Sequence, residues 1–218
     1  GDDGDRSNTL IPIDIPDLEN YFPPKHKKDH IVAGLPDDIY EAANYFLLAN
    51  AIRDIRGDTT EHRSMMVHIS LYTLVQNQIA DFLSVWLDQV KSDLRNYSKM
   101  PRDKAEKIAT IRALHNVWDK YDLSTACHIE WQDVLHSYLY RAVAPIDVRA
   151  VNMKTGAASL DYFNHKNDGL RVIAVGGNSL SRGLTLEGLR VTYFHRNTKM
   201  YDTLMQMGRW FGYRPNYD

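Results

Sequence analysis

Two stretches near the carboxyl end combine glycine, arginine and small polar residues, a composition that suits phosphate binding. The first covers residues 176–189 and directly follows an apolar run at residues 170–175. Its glycines permit positive φ and close backbone approach, and Arg182 adds a rigid positive fork that matches a phosphate. The candidate nucleotide- or nucleic-acid-binding residues are Gly177, Asn178, Ser181, Arg182, Gly183 and Thr185. An ordinary turn is the alternative, because a glycine-rich loop alone is a weak signal.

The second stretch, residues 201–214, has two arginines on or just after a helix that we predict over about residues 199–211. Gly208 beside Arg209 would let a phosphate or another backbone approach, where a purely structural helix would favour alanine. Gln206 precedes this pair and Arg214 follows it. The alternative is that both arginines lie over neighbouring aromatic rings.

Short apolar runs predict the strands that would position these stretches. We expect strands at residues 65–71, 148–153, 170–175 and 190–194, and amphipathic helices at residues 39–56, 75–94, 101–118 and 131–139. Continuous apolar strands separated by helices are typical of a parallel α/β sheet covered on both faces. Ligands bind such sheets at the carboxyl ends of the strands, where both stretches begin.

The chain divides into two regions of different composition. Residues 1–36 contain five of the eight prolines and an acidic start, so we expect an extended linker or strap there. Residues 37–218 are predicted to form one lobe, with the helices of residues 101–142 as an insertion.

Composition narrows the class of protein. With 44% hydrophobic and 25% charged residues, the chain is an ordinary globular protein. No apolar run approaches the ~20 residues that span a bilayer and no signal peptide is visible, so we expect a cytoplasmic protein without a membrane partner. The single cysteine, Cys127, excludes an internal disulfide and a cysteine-rich zinc site. The net charge is −2, but residues 145–218 carry ten Lys+Arg against six Asp+Glu, a balance that favours phosphate ligands.

The loop RGLTLEGL, the strand VTYF and the helix QMGRWFGYR together resemble motifs V and VI of superfamily 2 helicases. The predicted strand at residues 65–71 and its following helix resemble motif IV, which opens the second RecA-like lobe. Over VGGNSLSRGLTLEGL and KMYDTLMQMGRWFGYRP, the chain is similar to the Z-one domain family. That family is described as an endonuclease domain attached to superfamily 2 helicase modules and is linked to restriction-like and phage-defence operons. The resemblance implies a three-layer, mainly parallel RecA-like sheet with an inserted helical segment.

The resemblance also implies roles for individual residues. Arg182, Gly183 and Thr185 would contact nucleotide and nucleic-acid backbone, although Thr185 stands where the common form has aspartate. Arg209 would be an arginine finger that reaches the γ-phosphate of ATP across a cleft. In the same motif, Gln206 is displaced by one residue from the family spacing and Arg214 by two.

The phosphate-binding part of an ATPase is missing from the sequence. There is no Gly-x-x-x-x-Gly-Lys-Ser/Thr loop and no Asp-Glu strand end for magnesium. Both belong to the first lobe of the family, so ATP and Mg²⁺ are expected only with that lobe, and the chain alone is expected to be inactive. Because the chain starts at Gly1 and stops just after a motif, we expect it to be a fragment. The expected partners are nucleic acid, with DNA favoured, the N-terminal ATP-binding lobe of the same protein, and other restriction or defence proteins.

Two other functions stay open at this point. A non-catalytic interaction module would dock proteins through the aromatic residues of the 101–142 helices. A metal-dependent endonuclease would need paired carboxylates near a lysine, and the candidates are Asp161 with Lys166, and Asp103 and Glu106 with Lys107. Neither group forms a convincing nuclease site, and the nine histidines form no cluster with carboxylates at metal-ligand spacing, so we predict no metal site. His68 and His195 are expected to make hydrogen bonds at strand ends.

Overall fold

The computed structural model describes residues 11–152, 160–177 and 186–195. The helices are α1 (Ile15–Tyr21), α2 (Asp37–Ile55), α3 (Thr73–Tyr97), α4 (Arg102–Ala105), α5 (Ala109–Lys120), α6 (Leu123–Cys127), α7 (Trp131–Asp133) and α8 (Tyr140–Val143), with a π-helical segment (Val134–Leu139) between α7 and α8. The strands are β1 (Arg63–His68), β2 (Asp147–Val151), β3 (Arg171–Gly176) and β4 (Leu189–Phe194). The helix predicted over residues 199–211 lies outside the described residues.

All four strands run parallel, in the order β2-β3-β1-β4. In the centre, Met65 of β1 lies opposite Ile173 of β3 on one side and Val191 of β4 on the other. Strands β1 and β3 are buried along their whole length, which explains the apolar runs of residues 65–67 and 172–175 at their centres. The predicted α/β class with a parallel sheet is confirmed.

The two faces of the sheet bury apolar clusters of different size. On one face α2 and α3 pack directly against the strands, and α5 and α8 pack onto these two helices. The other face carries a smaller cluster around Met66, Val172 and Ala174, which the turns of residues 160–170 help to cover. No described helix combines the length and the apolar content needed to cross a membrane.

The two long helices follow from apolar spacing. In α3, Val75, Ile79, Leu83 and Leu87 recur four residues apart on the buried face, so one stripe of the helix faces the core. Helix α2 begins just after Pro36, and the chain turns away at Gly57, whose φ of +83° suits a residue without a side chain. Both helices were predicted from the sequence.

The strap, residues 11–36, differs from the extended segment that its prolines suggest, because it contains α1. The Asp14 side chain accepts a hydrogen bond from the Asp17 backbone N–H at 3.1 Å and so caps the helix. Pro16 stands in the first turn, where its missing N–H costs nothing. Proline therefore starts this helix rather than preventing it. Asp38 of α2 holds the strap by accepting the Asp14 backbone N–H at 3.1 Å.

The segment between α3 and β2 contains more and shorter helices than the two that the sequence predicts at residues 101–118 and 131–139. The helix expected to open at Pro101 divides into α4 and α5, and a π-helical segment interrupts the second. Trp118 and Trp131 are buried in the main core, and the His115 ring stacks on Trp131 with centroids 4.9 Å apart. These tryptophans therefore stabilise the domain and are not available to dock a partner protein.

A buried charge cluster closes the amino edge of the sheet. Asp54 at the end of α2 accepts two hydrogen bonds from Arg171, at 2.7 and 2.8 Å. Asp54 also forms an ion pair with Arg63 of β1 at 2.8 Å. Arg63 is fully buried, and its pKa is lowered by burial and by the neighbouring Arg171. One carboxylate thus pairs with two guanidinium groups at the opposite end of the strands from the candidate site.

Candidate functional site at the carboxyl edge of the sheet

The carboxyl ends of β1, β3 and β4 lie side by side because these neighbouring strands are parallel. The chain leaves β3 through Gly177 and leaves β4 through His195, on the two sides of β1. The His195 backbone N–H donates to the His68 carbonyl oxygen at 2.8 Å, which extends the β1–β4 pairing by one residue.

Gly177 packs tightly against the segment that follows β1. The Gln76 side chain donates from Nε2 to the Ser70 carbonyl oxygen at 2.9 Å. A Cβ added at Gly177 would lie 2.5 Å from that Nε2 and 3.1 Å from that carbonyl oxygen. The glycine therefore allows β3 to end directly against the turn after β1.

Gly177 is the one predicted site residue within the described residues. The other predicted binding residues, Asn178, Ser181, Arg182, Gly183, Thr185 and Gly208, and the predicted catalytic residues, Gln206, Arg209 and Arg214, lie outside the described residues. Their roles stay predictions.

Ser70 and His26 form a hydrogen-bonded pair beside Gly177. A carbonyl oxygen can only accept, so the contact of His26 Nδ1 with the Pro23 oxygen at 2.9 Å requires a hydrogen on Nδ1. In the neutral ring, Nε2 then accepts from the Ser70 hydroxyl at 2.8 Å. Serine paired with histidine is an arrangement used for nucleophilic catalysis, but Ser70 is only 2% exposed. The pair therefore serves to fasten the strap to the sheet.

Two further contacts hold the strap on this edge. His30 donates from Nε2 to the Tyr21 carbonyl oxygen at 2.7 Å. Gln78 of α3 accepts from the Val32 backbone N–H at 2.9 Å and donates to the His30 carbonyl oxygen at 3.0 Å. The strap was not predicted to contribute to the site. The His26-x-x-x-His30 spacing is the sequence signal that could have drawn attention to it.

His195 completes the described part of this edge. Burial lowers its pKa, Glu19 opposes that shift, and the nearby His26 lowers it further. The imidazole is therefore neutral at pH 7. Ser70 and Gln76 are also uncharged, so these three residues offer polar groups without a formal charge.

The residues considered for a nuclease have other contacts. Glu106 accepts a hydrogen bond from Arg102 at 2.7 Å and contacts His115 at 3.0 Å. Asp161 accepts from Asn164, and the Lys166 ammonium lies 4.3 Å from the centre of the Phe163 ring. Within residues 11–152, 160–177 and 186–195, no group of three or more His, Cys, Asp or Glu side chains could hold a metal ion.

The fold and this edge define a parallel α/β domain whose candidate site lies at the carboxyl ends of its strands. The model of the Z1 domain family matches residues 38–218. The chain therefore belongs to the Z1 domain family, which is the Z-one family that its sequence resembles. The strap lies outside the matched residues. Neither the curated proteins nor the solved structures contain a match to the chain.

Proposed function

We propose that the chain is the second RecA-like lobe of a superfamily 2 helicase-like, nucleic-acid-dependent ATPase in a restriction-like or phage-defence system. The observation that carries the proposal is the position of β3 and β4 on the two sides of β1. Their carboxyl ends lie on one edge, so the chain leaves the sheet at that edge both ahead of Arg182 and ahead of Arg209. A motor lobe needs both stretches at the same cleft.

The charge of the edge supports an ATP site that a second lobe must complete. Ser70, Gln76 and His195 carry no charge, so these three residues cannot offset the charge of a triphosphate. Arg182 and Arg209, which follow β3 and β4 in the chain, would supply the positive charge. ATP and Mg²⁺ would be held mainly by the phosphate loop and acidic residues of an N-terminal ATP-binding lobe. In this proposal that lobe and DNA are the partners of the chain.

The proposal is tested by Arg209→Ala in the protein that carries both lobes. A finger arginine is worth about 10³–10⁵ in turnover. We expect the variant to bind ATP nearly as well as the wild type while its DNA-stimulated hydrolysis falls by about that factor. Hydrolysis is followed by phosphate release and binding by a fluorescent ATP analogue.

Arg112→Ala is the matched control, because Arg112 is an exposed arginine on α5. It should leave both binding and hydrolysis unchanged. If Arg209→Ala hydrolyses ATP at the wild-type rate, Arg209 is not a finger and the motor assignment loses its main catalytic residue.

A further inference from the structure

Three lysines lie together on one turn of the strap, residues 23–30. Lys25, Lys27 and Lys28 are all exposed, and none pairs with a carboxylate in the part of the chain that the structure describes. Asp29 is the one acidic residue in the turn. Lysines without counter-ions attract polyanions, because binding releases the counter-ions condensed on the polyanion.

The backbone of this turn is fixed before any ligand arrives. His26 bonds to Ser70 on one side, and Gln78 of α3 bonds to the strap on the other. Phe22, just before the turn, is buried in the core. The lysines therefore project from a rigid base, which lowers the entropy lost on binding.

Exposed aromatic and apolar side chains lie beside His26, which stands between Lys25 and Lys27 in the turn. Tyr72 is 40% exposed, and its ring meets the edge of the His26 ring with centroids 5.8 Å apart. Leu71 and Leu74 are also exposed, and Leu71 lies against Gly177. The turn that carries the lysines thus adjoins an accessible aromatic ring, and Leu71, which precedes that ring in the chain, contacts Gly177 of the glycine-rich stretch.

We propose that this surface, defined by Lys25, Lys27, Lys28 and Tyr72, binds single-stranded nucleic acid. The ammonium groups contact successive phosphates and the tyrosine ring stacks on a base. Stacking needs a base that is free of its own helix, so the surface favours a single strand over a duplex. The choice of nucleic acid among polyanions rests on the proposed function. The lysines lie outside residues 38–218, so the family match does not assign this site.

The test measures binding of the 218-residue chain to fluorescein-labelled oligothymidine by anisotropy over a range of salt concentrations. Each phosphate neutralised on a single strand contributes about −0.7 to the slope of log K against log salt. Replacing Lys25, Lys27 and Lys28 together by glutamine should therefore reduce the slope by about 2. The matched control replaces three other exposed lysines, Lys99, Lys104 and Lys107, by glutamine and should leave the slope unchanged.

Tyr72→Ala separates stacking from charge. Base stacking on an aromatic ring is worth about 1–3 kcal/mol, so affinity should fall about 5-fold to 150-fold with no change in salt slope. Tyr72→Phe keeps the ring and should bind as the wild type does. Urea unfolding of each variant checks that the fold is intact.

Several results would overturn this assignment. One is an equal salt slope for the two triple-lysine variants. The others are tighter binding of duplex DNA than of the single strand, and binding to vesicles of anionic lipid without binding to the oligonucleotide. The Arg209 experiment is independent of these results. If the salt slope depends on the three lysines but Arg209→Ala hydrolyses ATP normally, the nucleic-acid surface stands and the motor assignment fails. If the slope does not depend on the lysines but Arg209→Ala loses hydrolysis, the motor assignment stands and the surface fails.

Discussion

Gly177→Ala probes the packing that closes the candidate site. The new Cβ would lie 2.5 Å from Gln76 Nε2, so the Gln76 amide must move and lose its bond to the Ser70 carbonyl oxygen. A lost hydrogen bond of this kind costs about 0.5–1.5 kcal/mol. Overpacking of a tight site costs about 1–3 kcal/mol, so the two effects together predict a loss of about 1.5–4.5 kcal/mol in the free energy of unfolding.

A double-mutant cycle tests whether Gln76 is the cause. Gln76→Ala removes the clashing amide, so adding it to Gly177→Ala should cost less than the sum of the single changes, with a coupling of about 1 kcal/mol. Gln89→Ala is the control, because Gln89 lies 13 residues further along α3, about 20 Å along the helix axis. Its effect should simply add to that of Gly177→Ala.

The measurement is urea unfolding, in which a lower midpoint at unchanged slope reports a loss of stability. Additive behaviour of Gly177→Ala with Gln76→Ala would refute the packing explanation. The glycine would then be required for another reason, such as close approach of a ligand.

The remaining predictions concern buried ionisable groups. Asp54→Asn removes the carboxylate that pairs with Arg63 and Arg171 and should lower the free energy of unfolding by about 3–5 kcal/mol. The control Asp58→Asn breaks a partly exposed pair with Arg53 and should lower it by less than about 1 kcal/mol. Equal urea midpoints for the two variants would argue against the buried charge cluster. Burial and a hydrogen-bonded carboxylate raise the pKa of Tyr193 above its unfolded value near 10. Its stabilising contribution is therefore complete below about pH 10 and declines as the pH rises further, so alkaline unfolding should be steeper in the wild type than in Tyr193→Phe. Identical pH profiles would contradict that assignment.

Strands and long helices could be predicted because their apolar spacing is local. The alternation of α2, β1 and α3 and the three later strands follow from the spacing of apolar residues along the sequence. The ends were less certain: β1 begins at Arg63, because that charged residue finds Asp54 in the interior. A charge inside a strand cannot be recognised until its partner is known.

The sequence could predict where the candidate site lies but not which residues meet there. Gly177 follows a predicted strand, so its place at the carboxyl edge was expected. Its neighbour Gln76 was not, since that contact joins residues about 100 positions apart. The same holds for His26 and Ser70, whose hydrogen bond links residues 44 positions apart. Contacts of this kind depend on strand order, which apolar spacing does not determine.

The central position of β1 also affects how the chain is made. Ser64 pairs with Val172 on one side and with Leu189 on the other, so both partners of β1 are synthesised more than a hundred residues later. At about 5–20 residues per second, β1 emerges on the order of ten seconds before its sheet can form. Its two edges are then unpaired and open to other chains, because the helices synthesised before β3 can cover a face of β1 but not its edges. We therefore expect the nascent domain to depend on chaperones until β4 has left the ribosome.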